Sequence, residues 1–257
     1  IGLKVLDATG GGSTSDVLRA IEYAIANQAA LDIRVINLSL GHPILEAAET
    51  DPLVQAVEAA ARAGIAVVIS AGNHGKNPET GLIGYAGIVS PGNAPSAITV
   101  GAVNTFDTVS RADDGVATYS SRGPTWYDSY AKPDVVAPGN RLLAAGATGS
   151  TLFTRYAAYQ MTTSEGLLTL SGTSMAAGVV SGAVALMIEA NNATWPSAPL
   201  TPNAIKAILE FTAIPLNGVD ALTQGAGSIN LAAAVLLATT INPGVPYTSS
   251  EMIAAAG

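Results

Sequence analysis

The chain has 257 residues, 49% of them hydrophobic and only 5% aromatic, and a formal net charge of −8. That length suits one large domain with a sizeable core, and the acidic balance, with no run of Lys or Arg, argues against a nucleic-acid partner or an anionic membrane surface. With no cysteine, disulfides, thiolate metal sites and thiol catalysis are excluded, and no uninterrupted apolar run reaches the roughly eighteen residues that span a bilayer.

Leu3–Asp7 reads as a short buried strand and carries none of the features of a signal peptide. A chain that opens inside a strand, with no initiating Met, reads as continuing from something upstream. Gly10, Gly11 and Gly12 form a loop, after which Ser13 or Ser15 caps a helix carrying Val17, Leu18, Ile21, Tyr23, Ala24 and Ile25. Val35–Leu40 reads as a second strand. A helix follows from about Pro52, a first-turn position that proline tolerates, to Ala63, with Gly64 as its stop. Ile65–Ile69 is continuously apolar, as a strand is when helices cover both faces. Such β–α alternation implies right-handed crossovers and a mostly parallel sheet between helices, an α/β class. After Asn73 the chain is richer in loops, with short strands expected at Ala97–Ala102 and Asp134–Ala137. Helices are expected at about Ser174–Glu189, Thr201–Phe211 and Ile229–Ala238. One domain over 1–240 is expected, followed by a tail over 241–257 that carries Pro243, Gly244 and Pro246.

The segment Ser171-Gly172-Thr173-Ser174-Met175-Ala176-Ala177-Gly178 opens a helical apolar run. A hydroxyl held at a helix start meets unpaired N–H groups and a dipole that favour developing negative charge. Taken alone, Ser174 is more often a cap than a nucleophile. Its company changes that reading. Val35-Ile36-Asn37-Leu38-Ser39-Leu40-Gly41, Val67-Val68-Ile69-Ser70-Ala71-Gly72-Asn73, Tyr119-Ser120-Ser121-Arg122-Gly123-Pro124 and Lys132-Pro133-Asp134-Val135-Val136-Ala137-Pro138-Gly139 precede it in order. Together with Gly-Thr-Ser-Met-Ala at 172–176 they resemble the subtilisin-like serine proteases, the subtilases, over nearly the whole chain to about residue 240.

The resemblance implies a three-layer α/β/α fold with its N-terminal part missing, and a serine endopeptidase acting on polypeptides. Ser174 would be the nucleophile, and Asn73 would donate its side-chain amide to the oxyanion together with the Ser174 backbone N–H. Ser39, Leu40 and Gly41 would wall one side of the primary specificity pocket, and Ser70, Ala71 and Gly72 the other, with Thr173, next to the nucleophile, also in place to bind substrate. Val89, in Gly87–Pro95, would lie near the pocket floor and favour an apolar side chain. Gly10, Gly11 and Gly12 would pair with substrate backbone as an added strand, since glycine lets another chain approach closely. Glycines between strand and helix also cradle phosphates, but this spacing fits neither a P-loop nor a dinucleotide fingerprint and no Lys follows, which makes a nucleotide-binding protein remote.

Subtilases run Asp, His, Ser in chain order. Neither the Asp-Thr-Gly or Asp-Ser-Gly context nor His-Gly-Thr-His occurs in this sequence. Both segments are therefore expected upstream of Ile1, and the chain alone is expected to be nearly inactive and, with an open sheet edge, unstable or prone to aggregate. His42 and His74 sit in expected loops and read as solvated rather than as general bases. Asp7 is followed by Ala-Thr and reads as lining the cleft or simply exposed. The other reading is a catalytically incomplete homologue that holds peptides without cleaving them. No metal site is identified: calcium is possible by family resemblance only, and Asp113-Asp114 reads as a solvated turn. A secreted location is what the resemblance and the lack of cysteine permit.

Overall fold

The computed structural model describes residues 1–161 and 166–244. Helix α1 (Thr14–Ala26) starts at Ser13, whose hydroxyl accepts the Asp16 amide at 3.2 Å, and a single turn, α2 (Gln28–Leu31), follows it. Strand β1 (Val35–Leu38) is two residues shorter than its apolar run, and β2 (His42–Pro43) leaves it at once. Helix α3 (Pro52–Arg62) is capped by the buried Asp51 carboxylate, which accepts from the Leu53 and Val54 amides, and Gly64 follows its end at φ 87°. That left-handed turn costs glycine no steric strain. Then come β3 (Ala66–Ser70), β4 (Val89–Ser90), β5 (Ile98–Asn104), β6 (Gly115–Val116), β7 (Val135–Pro138) and β8 (Leu142–Ala145). A short helix α4 (Thr151–Arg155) precedes β9 (Leu167–Leu170), and α5 (Thr173–Thr194), α6 (Pro202–Thr212), α7 (Ala221–Gln224) and α8 (Leu231–Thr240) close the described chain.

In the central sheet β1, β3, β5 and β7 run parallel, and β6 joins β5 antiparallel. Alternation along β3 divides the core. Val67 and Ile69 face α1 and α3, packing with Val17, Ile21, Leu53 and Val57, whereas Ala66 and Val68 face α5, α6 and α8 with Val180, Val184, Ile205 and Ala234. All five β3 residues are therefore buried, and the molecule has three layers, α/β/α. By length and mean hydropathy α5 is long and apolar enough to cross a membrane; in this fold its Ala176, Val180, Val184 and Met187 are buried against the sheet and α8.

Two expectations need correction. Leu3–Asp7 is not a strand: Leu3 and Leu6 are exposed and no described strand pairs with this segment. An apolar sequence becomes a strand only where another backbone takes its N–H and C=O groups. The antiparallel β8–β9 pair, with Leu142 opposite Leu170, was not expected because Leu142–Ala145, although flanked by Gly139-Asn140 and Gly146, has no apolar–polar alternation and few β-favouring residues. The expected tail lies, beyond residue 244, outside the described residues.

Candidate active site

Parallel strands end together, so the loops after β1 and β3 emerge at one edge of the sheet, where α5 begins. Gly172 precedes the helix with no side-chain cap. The cap is supplied from elsewhere: Asn73 Oδ1 accepts from the Thr173 amide at 3.0 Å and from the Thr173 hydroxyl at 3.2 Å. These bonds fix the amide's orientation and leave Nδ2 as a free donor beside Gly172, at 3.5 Å from where a Cβ on that glycine would stand. The next amide, that of Ser174, donates no hydrogen bond among the described residues. Ser174 is half-buried; its hydroxyl lies 3.4 Å from Ser39 O, while the Ser39 hydroxyl donates to Ser174 O at 2.9 Å. The structure thus brings the expected nucleophile, the expected amide donor and the loop after β1 to one place.

Thr173 stands differently from its expected place beside substrate. Its side chain is fully buried, accepts from the Gly72 amide at 3.2 Å and holds Asn73, so it braces the site. The wall residues Ser70 and Ala71 are buried too, and Ala71 is committed at both ends, its amide to Val100 O and its carbonyl to the Val89 amide. Gly72 and Gly41 both press on Val89. A Cβ at Gly72, which has φ 105°, would stand 3.0 Å from Val89 Cγ1, and one at Gly41 would stand 2.6 Å from Val89 Cγ2. Val89 therefore sits between the two walls, with no charged side chain among these contacts.

Gly10 and Gly12 lie with Ser39, Leu40 and Gly41 around one cavity of about 460 Å³, together with Leu45 and Leu53. Gly12, Leu40 and Gly41 make no backbone–backbone hydrogen bond among the described residues, so their polar groups are open to an extended chain. Gly11 is turned away, its amide donating to Asp7 Oδ1 at 3.1 Å. Asp7 also accepts from the Thr9 hydroxyl and amide, and these bonds hold its carboxyl below the usual range. These bonds close the turn Asp7–Gly11. The Tyr119–Pro124 segment is the scaffold behind the site: Ser121 accepts from the His74 amide and donates its own amide to Gly72 O, and Arg122 reaches Gly75 O at 2.9 Å.

His42 and His74 are not hydrogen-bonded to Ser174; the His42 ring Nδ1 sits 2.8 Å from Pro43 O. Among the described residues no three His, Cys, Asp or Glu side chains converge as a metal site would require, and Asp113 is bonded instead to the Thr108 hydroxyl. Sequence reasoning missed a second cavity, lined by Arg141, Tyr156 and Tyr159, because its wall is a pair of strands that no local pattern announces.

The family model described as "Subtilase family" matches residues 1–233. Serine protease AprX of Bacillus subtilis (strain 168) is 36% identical over 235 residues, covering 90% of this chain and 50% of the relative. Subtilisin E of the same strain is 34% identical over 232 residues, covering 90% and 48%. Among solved structures, a prenylagaramide maturation protease, PagA, superposes with a TM-score of 0.65 at 26% identity, over 90% of this chain and 69% of its own. The chain spans about half the length of the curated relatives it matches. A family match over nearly the whole described chain, relatives that are serine proteases and a site assembled from the same five motifs agree: the chain belongs to the subtilase family.

Proposed function

We propose that this chain is the nucleophile-bearing part of a serine endopeptidase. Ser174 Oγ bonds to the scissile carbonyl carbon as its proton passes to a general base, and the carbonyl oxygen becomes an oxyanion held by the Ser174 N–H and Asn73 Nδ2. The C–N bond then breaks, the amine leaves with that proton, and water releases the acyl-enzyme. The observation that carries the reading is the bonding of Asn73. Its oxygen is consumed by Thr173, so its N–H groups face the helix start where the Ser174 amide is also free. The cavity shared by Gly10, Gly12 and Ser39–Gly41 suits an extended polypeptide, and Val89 favours an apolar side chain at the primary pocket.

The general base would come from polypeptide outside these 257 residues. Two observations support this. Neither histidine meets Ser174, and a mostly apolar cavity of about 810 Å³ runs along the unpaired edge of β1, between Val35–Leu38 and Ile1–Val5. That space suits an added strand. Without the base, turnover by the isolated chain falls toward background, since loss of the histidine in a subtilisin costs about 2 × 10⁶ in kcat.

The test is to sequence the encoding DNA ahead of Ile1 and to assay the 257-residue chain and any longer product on apolar peptides, each beside its Ser174→Ala variant. An in-frame Asp-Thr-Gly or Asp-Ser-Gly segment followed by His-Gly-Thr-His, with hydrolysis by the longer product alone and its loss in the variant, is expected. Hydrolysis that survives Ser174→Ala overturns the assignment. A start codon at the boundary with neither motif, together with peptide binding and no turnover, replaces it with a peptide-holding homologue.

A further inference from the structure

Ser39 holds Ser174 at two points: its hydroxyl donates to Ser174 O at 2.9 Å, and its carbonyl oxygen lies 3.4 Å from Ser174 Oγ. What holds Ser39 is Asn37, two residues back on β1. Alternation along a strand sends side chains two residues apart to one face, and residues seven apart on a helix share a face over two turns. Asn37 and Ser39 thus meet Ser181 and Ser174 of α5. Asn37 Nδ2 donates to Ser39 Oγ at 3.0 Å. The Ser181 hydroxyl lies 3.0 Å from Asn37 Oδ1 and 2.9 Å from Ala177 O, and shares its one proton between them. The sense of the chain follows from its far end. Ser174 O can only accept, so the Ser39 hydroxyl donates to it and is left to accept from Asn37. That turns the Asn37 amide nitrogen toward Ser39 and its oxygen toward Ser181.

Resting on the reading of Ser174 as nucleophile, we propose that Asn37 is a positioning residue for the reaction: through Ser39 it sets where Ser174 Oγ stands against an incoming carbonyl. It acts from outside the cavity shared by Gly10, Gly12 and Ser39–Gly41, on the wall of the larger cavity at the edge of β1, where Ser181 also lies. Asparagine is a poor strand residue, and in β1 it stands among Val35, Ile36 and Leu38. Its two ends are both used, one to fix the amide against α5 and the other to hold Ser39. An aliphatic side chain at this position would suit the strand better and would leave the Ser39 hydroxyl with one bond fewer. Asn37 and Ser39 are exposed, so water competes for these bonds and the relay is worth a small factor rather than a large one.

A labelled apolar peptide aldehyde, beside the matching peptide alcohol, reads this out on the 257-residue chain by fluorescence anisotropy. Ser174 Oγ adds to the aldehyde carbon, the Oγ–C bond forms, and the hydroxyl proton ends on the aldehyde oxygen, an equilibrium that requires no general base. The alcohol binds without adding. The aldehyde is expected to bind the parent chain more tightly than the alcohol, and Ser174→Ala to remove that advantage. Asn37→Ala should cut the advantage about fivefold with alcohol binding unchanged. Asn37→Asp, equal in size, keeps an acceptor for Ser181 but cannot donate to Ser39, and should match Asn37→Ala. In a Ser39→Ala background Asn37→Ala should change nothing further, because the relay is already cut. Circular dichroism confirms that the variants fold. An advantage that survives both Asn37 variants but not Ser174→Ala overturns the proposal and leaves the Ser174 reading standing. Loss of alcohol binding in step with aldehyde binding makes Asn37 a structural residue and overturns the positioning role as well. No aldehyde advantage in the parent chain overturns the Ser174 reading, and the proposal with it.

Discussion

Asn73 shows how one residue's chemistry follows from its bonds. Alone in the sequence it reads as a turn residue after glycine. Bonded through Oδ1 to the Thr173 amide and hydroxyl, it becomes a fixed donor at the start of α5. In the hydrolytically competent protein, Asn73→Ala is expected to lower kcat by about 10²–10³ with little change in KM, the magnitude found for one oxyanion donor of a subtilisin. Steady-state kinetics on an apolar peptide checks it. Gly72 is constrained from two sides: its φ of 105° disfavours any side chain, and a Cβ would come within 2.8 Å of Ser121 Oγ. Gly72→Ala is expected to cost about 1–3 kcal/mol of stability in urea unfolding, and to narrow the pocket against Val89.

At the scale of elements, helix starts follow local rules. Ser13, Asp51 and Thr201 each accept an amide in the first turn of the helix they precede. Asp51 does more, because its other oxygen accepts the Ser90 hydroxyl at 2.6 Å, linking the cap of α3 to β4 and hence to Val89. Asp51→Ala therefore removes a buried cap and orphans a buried hydroxyl, at an expected cost of about 2–4 kcal/mol in chemical denaturation. Gly178 lies within α5 with open space where a Cβ would stand. Gly178→Ala is expected to raise stability by about 0.5–1 kcal/mol and to leave peptide binding unchanged. The same local rules fail for Leu3–Asp7 and for β8 and β9. A strand's existence depends on the backbone beside it, and that information lies elsewhere in the chain.

For the molecule as a whole, a buried charge cluster joins the sheet to both the pocket loop and α6. Asp134 accepts from Lys132 at 2.7 Å and Lys206 at 2.9 Å, and also from the Thr99 amide. The two ammonium groups reach back to the carbonyls of Pro95 and Ala97. Lys206 also faces Glu210 at 4.0 Å, so the cluster holds two carboxylates and two ammonium groups; burial above all, with the neighbouring Lys206 charge, pulls the Lys132 pKa down to about 8 from 10.5 against the opposing pull of Asp134. Between those values the unfolded chain holds a proton that the folded one has released, so this residue's contribution to stability rises from pH 8 to about 10.5 and is lost as pH falls through 8. Melting temperatures across that range should climb relative to those of Lys132→Met, in which the contribution is flat.

Much of the chemistry was written in order along the chain. Gly-Thr-Ser-Met-Ala, the strand ending at Asn73 and the pocket loop around Val89 are each contiguous, and helix caps and buried strands announce themselves through neighbouring residues. What the sequence by itself determined was therefore the α/β alternation, the helix starts and the identity of the residues that meet at Ser174. Only the tertiary structure decided that Thr173 is a buried brace, that Gly11 and Asp7 close their own turn, that Leu3–Asp7 stays unpaired and that Arg141 and two tyrosines frame a cavity beside Ser171. The Asp7 turn closes within four residues and shows only in the bonds it makes; the others depend on which distant backbone or side chain satisfies a polar group or covers an apolar one, and for Thr173 that partner, Asn73, lies a hundred residues away.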